Sequence, residues 1–134
     1  MTLTFLDTSV LIAAHRGAPA TKQQAAAILG NPGRTFVSSD FVRLELLPKA
    51  RYYGHTAEVT FYDTYFASVA VWVTPDAALV QEALRAASVT GMSALDALHV
   101  AAAVRAGAGE LITTEGATKP LHRARGVRVV TLQP

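Results

Sequence analysis

Four carboxylates stand out along the chain: Asp7, Glu45, Asp96 and Glu115. Each sits at the end of a β-favouring run or inside an apolar helical stretch, where an ionised acid is costly unless something pairs with it. Gathered at one place, such acids repel one another and their pKa values rise unless a cation neutralises them. The matching cation is hard, Mg²⁺ or Mn²⁺, which prefers carboxylate and water oxygens. An ion held this way activates a water and steadies the leaving oxygen of a phosphodiester. Other chemistries lack their parts. The chain has no cysteine, no serine in a nucleophile-elbow pattern and no His-x-x-x-His pair for zinc.

Each acid also has a local explanation. Ser93 and Asp96 have the spacing of a capping box, so Asp96 could serve only to tie down backbone N–H groups. Asp7, in Asp7-Thr8-Ser9, could be a helix N-cap. Glu45 could pair with Lys49 one turn on, a surface contact worth only tenths of a kcal/mol. His99, one turn beyond Asp96, reads as a structural neighbour of that acid rather than a catalytic base. Against these local accounts stands the recurrence of acids in one kind of setting.

The elements that must position the acids are short and alternating. Leu3–Leu6 reads as a buried strand, with Asp7 at its carboxyl end and a helix through Val10–Ala14. Gly17-Ala18-Pro19 is a turn, and Thr21–Leu29 an amphipathic helix closed by Gly30-Asn31-Pro32-Gly33. Thr35–Ser38 is a second strand. Ser39 or Asp40 caps a helix carrying Phe41, Val42, Leu44, Glu45, Leu46 and Leu47, which Pro48 should kink or restart. Arg51–His55 is a basic and aromatic turn of a kind that can stack unpaired bases or cover a helix end. Ala57–Ala70 is a helix whose stripe Phe61, Tyr62, Tyr65 and Phe66 belongs to the core or to a self-association face.

Val71–Val73 is a third strand. Pro75 at the first helical position, with Asp76 in the first turn, opens a helix to Ala87. The Asp96 helix follows Gly91 and ends at Gly107. Glu110–Thr113 is a strand, with Thr114 and Glu115 at its carboxyl end. Lys119–Arg125 is a basic loop or short helix, and Val127–Thr131 an edge strand. Strands alternating with helices predict an α/β fold, a three-layer α/β/α sandwich around a mostly parallel sheet. In such sheets ligands bind outside the carboxyl ends of the strands, where Asp7 and Glu115 stand.

The 134 residues fit one domain, and 51% hydrophobic against 16% charged residues mark a globular chain with a sizeable core. Twelve basic against ten acidic residues give a net charge of +2, so drawing four acids into one site leaves the remaining surface basic. That suits a polyanionic substrate whose charge a bound cation helps to accept. No stretch is long and apolar enough to span a membrane. No basic residue precedes the first apolar run, which Asp7 interrupts, so a secretory signal is not expected and a cytoplasmic location is.

Leu6-Asp7-Thr8-Ser9, then Glu45-Leu46-Leu47 with Lys49-Ala50-Arg51, then Leu95-Asp96-Ala97-Leu98-His99-Val100-Ala101-Ala102, then Leu111-Ile112-Thr113-Thr114-Glu115 follow one another along nearly the whole chain. In this order and spacing they resemble the PIN domain, and within it the VapC-type ribonuclease toxins of prokaryotic toxin–antitoxin pairs. The resemblance implies a Mg²⁺- or Mn²⁺-dependent endoribonuclease with Asp7, Glu45 and Asp96 as its acidic core. Glu115 is then the fourth acid, with Ser9, Thr113 and Thr114 in support. A homodimer and an inhibitory antitoxin are also implied. The chain departs from the family in three places. Glu115 stands where aspartate is usual, no aromatic residue follows it closely, and Ser9 stands where asparagine is common.

Three other readings compete. A PIN-like module could bind RNA or a protein without cutting. A phosphoacceptor receiver domain would share the strand-end acids and a Lys119-Pro120 pair, but it needs two adjacent acids after the first strand. A haloacid-dehalogenase-type phosphatase needs an aspartate where Ser9 stands.

Overall fold

The run Thr2-Leu3-Thr4-Phe5-Leu6 combines β-favouring side chains with apolarity on both faces, which suits a strand covered on both sides. In the computed structural model, which describes residues 1–132, it forms β1 (Thr2–Leu6), the middle strand of the sheet. The chain continues through α1 (Thr8–Arg16), α2 (Pro19–Leu29), β2 (Arg34–Ser39), α3 (Asp40–Tyr52) and α4 (Thr56–Ser68) to β3 (Val71–Val73). Then come α5 (Ala77–Thr90), α6 (Ala94–Arg105) and β4 (Glu110–Thr113). A 3₁₀ turn at Pro120–Arg123 leads to β5 (Arg128–Thr131).

The strand order is β3-β2-β1-β4-β5. Every pairing among the described residues is parallel, so the sheet expected to be mostly parallel is wholly so. Phe5 lies in register with Val37 on one side and Leu111 on the other. From β1 the chain steps outward to β2 and β3, then returns across to β4 and β5. Parallel crossovers are right-handed, so the reversal of direction puts α1–α4 on one face and α5–α6 on the other. This gives the three layers. It also opens a crevice at the carboxyl ends of β1 and β4, where the order reverses.

Phe5, Leu6, Leu111 and Ile112 are buried in the middle of the sheet, and Val10, Leu11, Val42, Leu47, Val100 and Ala102 pack over it from the helices. Full burial of each large apolar side chain stabilises by about 1.5–3 kcal/mol. At the amino-terminal end of the sheet the Arg34 guanidinium donates to Thr4 Oγ1 and to Glu110 Oε1, each at 2.9 Å. It ties β2, β1 and β4 together away from the crevice.

Several local expectations change. Pro48 does not restart its helix, because α3 runs through it to Tyr52. Its ring lies on the solvent side, while Leu46, Leu47 and Ala50 are buried and hold the turn against the core. Pro75 lies outside α5, and Asp76 is the N-cap, its carboxylate accepting from the Leu79 N–H at 2.8 Å. A side-chain cap outcompetes a proline at the first position because it satisfies a helix-end donor. That helix runs past Ala87 to Thr90, where Gly91 closes it at φ +76°. Pro19, read as part of a turn, instead opens α2. Ser39 makes no side-chain cap to α3, and Asp40 accepts from the Trp72 indole N–H. The aromatic stripe of α4 is mainly core: Tyr62 and Tyr65 are buried, and Phe61 and Phe66 are partly so.

Candidate active site

The site is built where β1 and β4 end. Asp7 leaves β1 with φ −61° and ψ 150° and caps α1, its Oδ1 accepting from the Thr8 N–H at 2.9 Å. Its Oδ2 faces β4 and accepts from the Thr113 hydroxyl at 2.9 Å and the Ser9 hydroxyl at 2.8 Å. A hydroxyl has one proton to give, and both are spent on Asp7. The oxygens of Ser9 and Thr113, 3.4 Å apart, are therefore left to accept. Each takes a backbone N–H of the loop after β4: Thr114 to Ser9 Oγ at 3.1 Å, Glu115 to Thr113 Oγ1 at 3.0 Å. The network fixes the Asp7 carboxylate and orders the backbone that carries Glu115. The residues expected in support, Ser9, Thr113 and Thr114, all take part.

Asp96 enters from α6. Ser93 is the N-cap, its hydroxyl accepting from the Asp96 N–H at 3.2 Å. The reciprocal half of a capping box, a bond from the Ser93 N–H to the Asp96 carboxylate, is not formed among the described residues. The half-buried carboxylate instead lies in the field of the other acids. Burial pushes the Asp96 carboxyl above its usual 3.8, and the charges of Asp7 and Glu115 push the same way, with His99 opposing. Asp7 comes from β1, Asp96 from α6 and Glu115 from the loop after β4. They lie 89 and 108 positions from Asp7 in sequence and share one field in space.

Glu45 is held differently. It extends from α3, and its Oε1 meets Nε2 of the buried His99 at 2.9 Å. A carboxylate only accepts, so Nε2 carries the hydrogen in this contact. That bond holds the Glu45 carboxyl below its usual 4.5, against the opposing effect of burial. The Lys49 charge contributes last, so the surface pair with Lys49 is the minor partner. The apolar surroundings expected for Glu45 are only partial, since Leu44 beside it is 66% exposed. His99 itself packs against Phe5, ring centroids 5.7 Å apart, and its Nδ1 is buried with no partner. His99 thus bridges two acids, Glu45 by contact and Asp96 by charge. The sequence placed it beside Asp96 only.

No three Asp, Glu or His side chains among the described residues stand close enough to form a ready cation shell. The physical reason lies in the contacts above. Asp7 is occupied by three donors, and Glu45 is turned to His99. The donor set itself is hard oxygen, and Asp96 carries an ionisation that its neighbours oppose. That is the chemistry a hard divalent cation relieves.

One acid escaped sequence reasoning. Glu58, in the aromatic helix α4, is buried and accepts from the Tyr62 hydroxyl at 2.5 Å. Its signal was available, an acid one helical turn from tyrosine inside an apolar stripe, the same cue that singled out Glu45.

Among curated proteins none matches the chain in sequence. Solved structures with the same fold include three of bacterial origin. VapBC2 from Rickettsia felis, bound to a DNA fragment from its promoter, superposes with TM-score 0.73 at 14% identity, covering 98% of this chain and 100% of that one. A toxin–antitoxin complex from Klebsiella pneumoniae gives 0.69 at 21%, covering 96% of each chain. VapC20 from Mycobacterium tuberculosis, a sarcin–ricin loop cleaving toxin, gives 0.68 at 22%, covering 93% of this chain and 98% of that one. At these identities the likeness is one of fold. The model of the PIN domain matches residues 4–119, a span that takes in the end of β1, all of β4 and all four acids. The chain belongs to the PIN domain family.

Proposed function

We propose that the protein is a Mg²⁺- or Mn²⁺-dependent endoribonuclease, the toxin of a toxin–antitoxin pair. The observation that carries this reading is the hydroxyl network of Ser9 and Thr113 that fixes the Asp7 carboxylate and the Glu115 backbone together at the crevice of the sheet, with Asp96 near enough to feel both charges. Its support from likeness is that one structure of the same fold is a sarcin–ricin loop cleaving toxin and another is a toxin–antitoxin complex.

Asp7, Asp96 and Glu115, with Glu45 at the edge, would hold the cation, which when bound supplies an activated water and charge for the leaving oxygen. The chain's own residues do the rest. The Ser9 and Thr113 hydroxyls hold Asp7 in one orientation, and the Thr113 oxygen fixes the backbone of Glu115. Ser93 anchors the first turn of α6 so that the Asp96 side chain faces the crevice. His99 holds Glu45 against α6.

An antitoxin and a second copy of the chain complete the proposal as partners. Of the α4 stripe only Phe61 and Phe66 remain partly exposed, and the exposed apolar side chains Val80 and Leu84 on α5 offer a second surface. The second reading, a PIN domain that binds RNA or protein without cutting, draws on the open spacing of the acids. One experiment separates the two. RNA is incubated with the protein and Mn²⁺, with and without chelator, alongside Asp96→Asn. Cleavage that needs the ion and Asp96 supports the nuclease. Metal-independent binding with no cut product supports the binding module.

A further inference from the structure

Beside Glu45 a cleft of about 470 Å³ opens between α1, α3 and α4. Its volume falls within the roughly 300–1,000 Å³ typical of small-ligand sites. Ile12, Leu46 and Ala50 supply an apolar wall, and Glu58 and Tyr62 lie at the α4 side. Glu58 is 7% exposed, an unusual place for a carboxylate. Its Oε2 takes the Tyr62 hydroxyl. Its Oε1 has only His55 Nδ1 at 3.6 Å, and Arg16 Nε stands 3.8 Å from Oε2, both beyond a good hydrogen bond. The charge is compensated, yet lone pairs are left for a donor that is not part of the chain. The rim carries Arg16 and Lys49, together with Tyr53, which is 65% exposed and stacks against His55 at an interplanar angle of 29°. Gly54, at φ +68°, makes the turn that sets these two rings side by side.

We infer that this cleft is a nucleobase pocket that seats a guanine of the RNA strand next to the acidic centre, with its Watson–Crick edge on Glu58 and its ring on Tyr53. Guanine presents two adjacent N–H donors on that edge, and a carboxylate accepts both. Adenine and cytosine each place a ring acceptor there, and uracil flanks its one N–H with two carbonyls, so the same carboxylate rejects all three. An exposed tyrosine face supplies stacking without regard to sequence. Arg16 and Lys49 can meet the phosphate of a nucleotide, and because Glu45 and Glu58 offset their charge, an arginine side chain is the competing ligand that the test includes. Glu45 borders both the cleft and His99, so a base seated here places its strand beside Glu45, at the edge of the acidic centre. The choice of RNA as the polymer rests on the ribonuclease reading, whereas the pocket's preference for guanine does not.

The test uses the four nucleoside 5′-monophosphates, which contain no bond for a nuclease to cut. Each is titrated into the full chain, free of divalent ions, while backbone amide resonances are followed by NMR. GMP is expected to shift amides of residues 49–62 and to bind at least about tenfold more tightly than AMP, CMP or UMP. Glu58→Gln, checked for folding by its melting curve, brings GMP to the level of the others. Tyr53→Ala, at an exposed position that cannot unfold the core, weakens all four nucleotides severalfold. Equal affinities, no binding, or GMP shifts confined to another surface would overturn the pocket. So would an arginine-bearing peptide that shifts these amides while GMP does not. Mn²⁺-dependent RNA cleavage with no GMP preference overturns the pocket and spares the nuclease. GMP selectivity without cleavage under any divalent ion does the reverse.

Discussion

His99 Nε2 and Glu45 Oε1 lie 2.9 Å apart, joining helices from opposite faces of the sheet at the edge of the acidic crevice. The bond favours ionised Glu45 in the folded protein, so the folded state holds this proton less tightly than the unfolded chain. Its contribution to stability is then fully present above the usual 4.5 and is lost as pH falls through the lower folded value. Melting temperatures of wild type and Glu45→Gln, measured from pH 7 down to acid, should differ most at neutral pH and converge below about 4.5. A difference independent of pH would show that the pair contributes packing alone.

Thr113 is buried and serves two partners, Asp7 through its proton and the Glu115 N–H through its oxygen. Thr113→Val keeps the shape and removes both bonds, leaving a buried acceptor and a donor unmet. Urea unfolding should show a loss of about 1–3 kcal/mol. RNA cleavage should fall by more than that loss explains, because Asp7 is no longer held in one orientation. Ser9→Ala shares the same carboxylate oxygen, so the double variant should not be additive.

The sheet, its order of elements and the placing of Asp7 and Glu115 were legible because strand-length apolar runs ended each time in a polar residue able to cap or to bind. The Asp96 helix was legible from its Ala and Leu content and its Ser93 cap. What escaped were contacts set by tertiary packing. Nothing local pairs Glu45 with a histidine 54 positions away. Local spacing favoured Lys49 instead, and only the crossing of α3 and α6 decides between them. The cleft above Glu58 was hidden for the same reason, since α1, α3 and α4 meet only in the folded chain, whereas Glu58 itself carried a local cue four residues from Tyr62.

Pro48 shows packing overriding propensity. Its missing N–H leaves the Leu44 carbonyl without its helical donor, on the exposed side of α3. Pro48→Ala restores the bond without disturbing the buried Leu47 and Ala50. The expected result is a higher melting temperature, by a free energy of up to about 3 kcal/mol, with RNA cleavage unchanged. A variant less stable than wild type would mean that the proline's rigidity outweighs its lost bond.

Asp96→Asn separates a cap from a metal ligand. The cap is made by the Asp96 N–H, which the variant keeps, so α6 should start where it does now. Asp96 is pushed above its usual 3.8 by burial and by the charges of Asp7 and Glu115. The folded protein therefore binds this proton more tightly than the unfolded chain. Ionisation costs stability increasingly as pH rises from about 3.8 through the higher folded value, and Asn escapes that cost. Without divalent ions the variant should melt at or above wild type at pH 7, and its advantage should vanish in acid. With millimolar Mn²⁺ the order should shift, because an ion that binds only the native state stabilises wild type and has fewer ligands in the variant. Cleavage of RNA should fall by orders of magnitude, since a misplaced cation no longer activates water. If Asp96→Asn cuts RNA at near the wild-type rate and gains the same melting shift from Mn²⁺, Asp96 is a residue of the helix start and the centre of the reaction lies elsewhere.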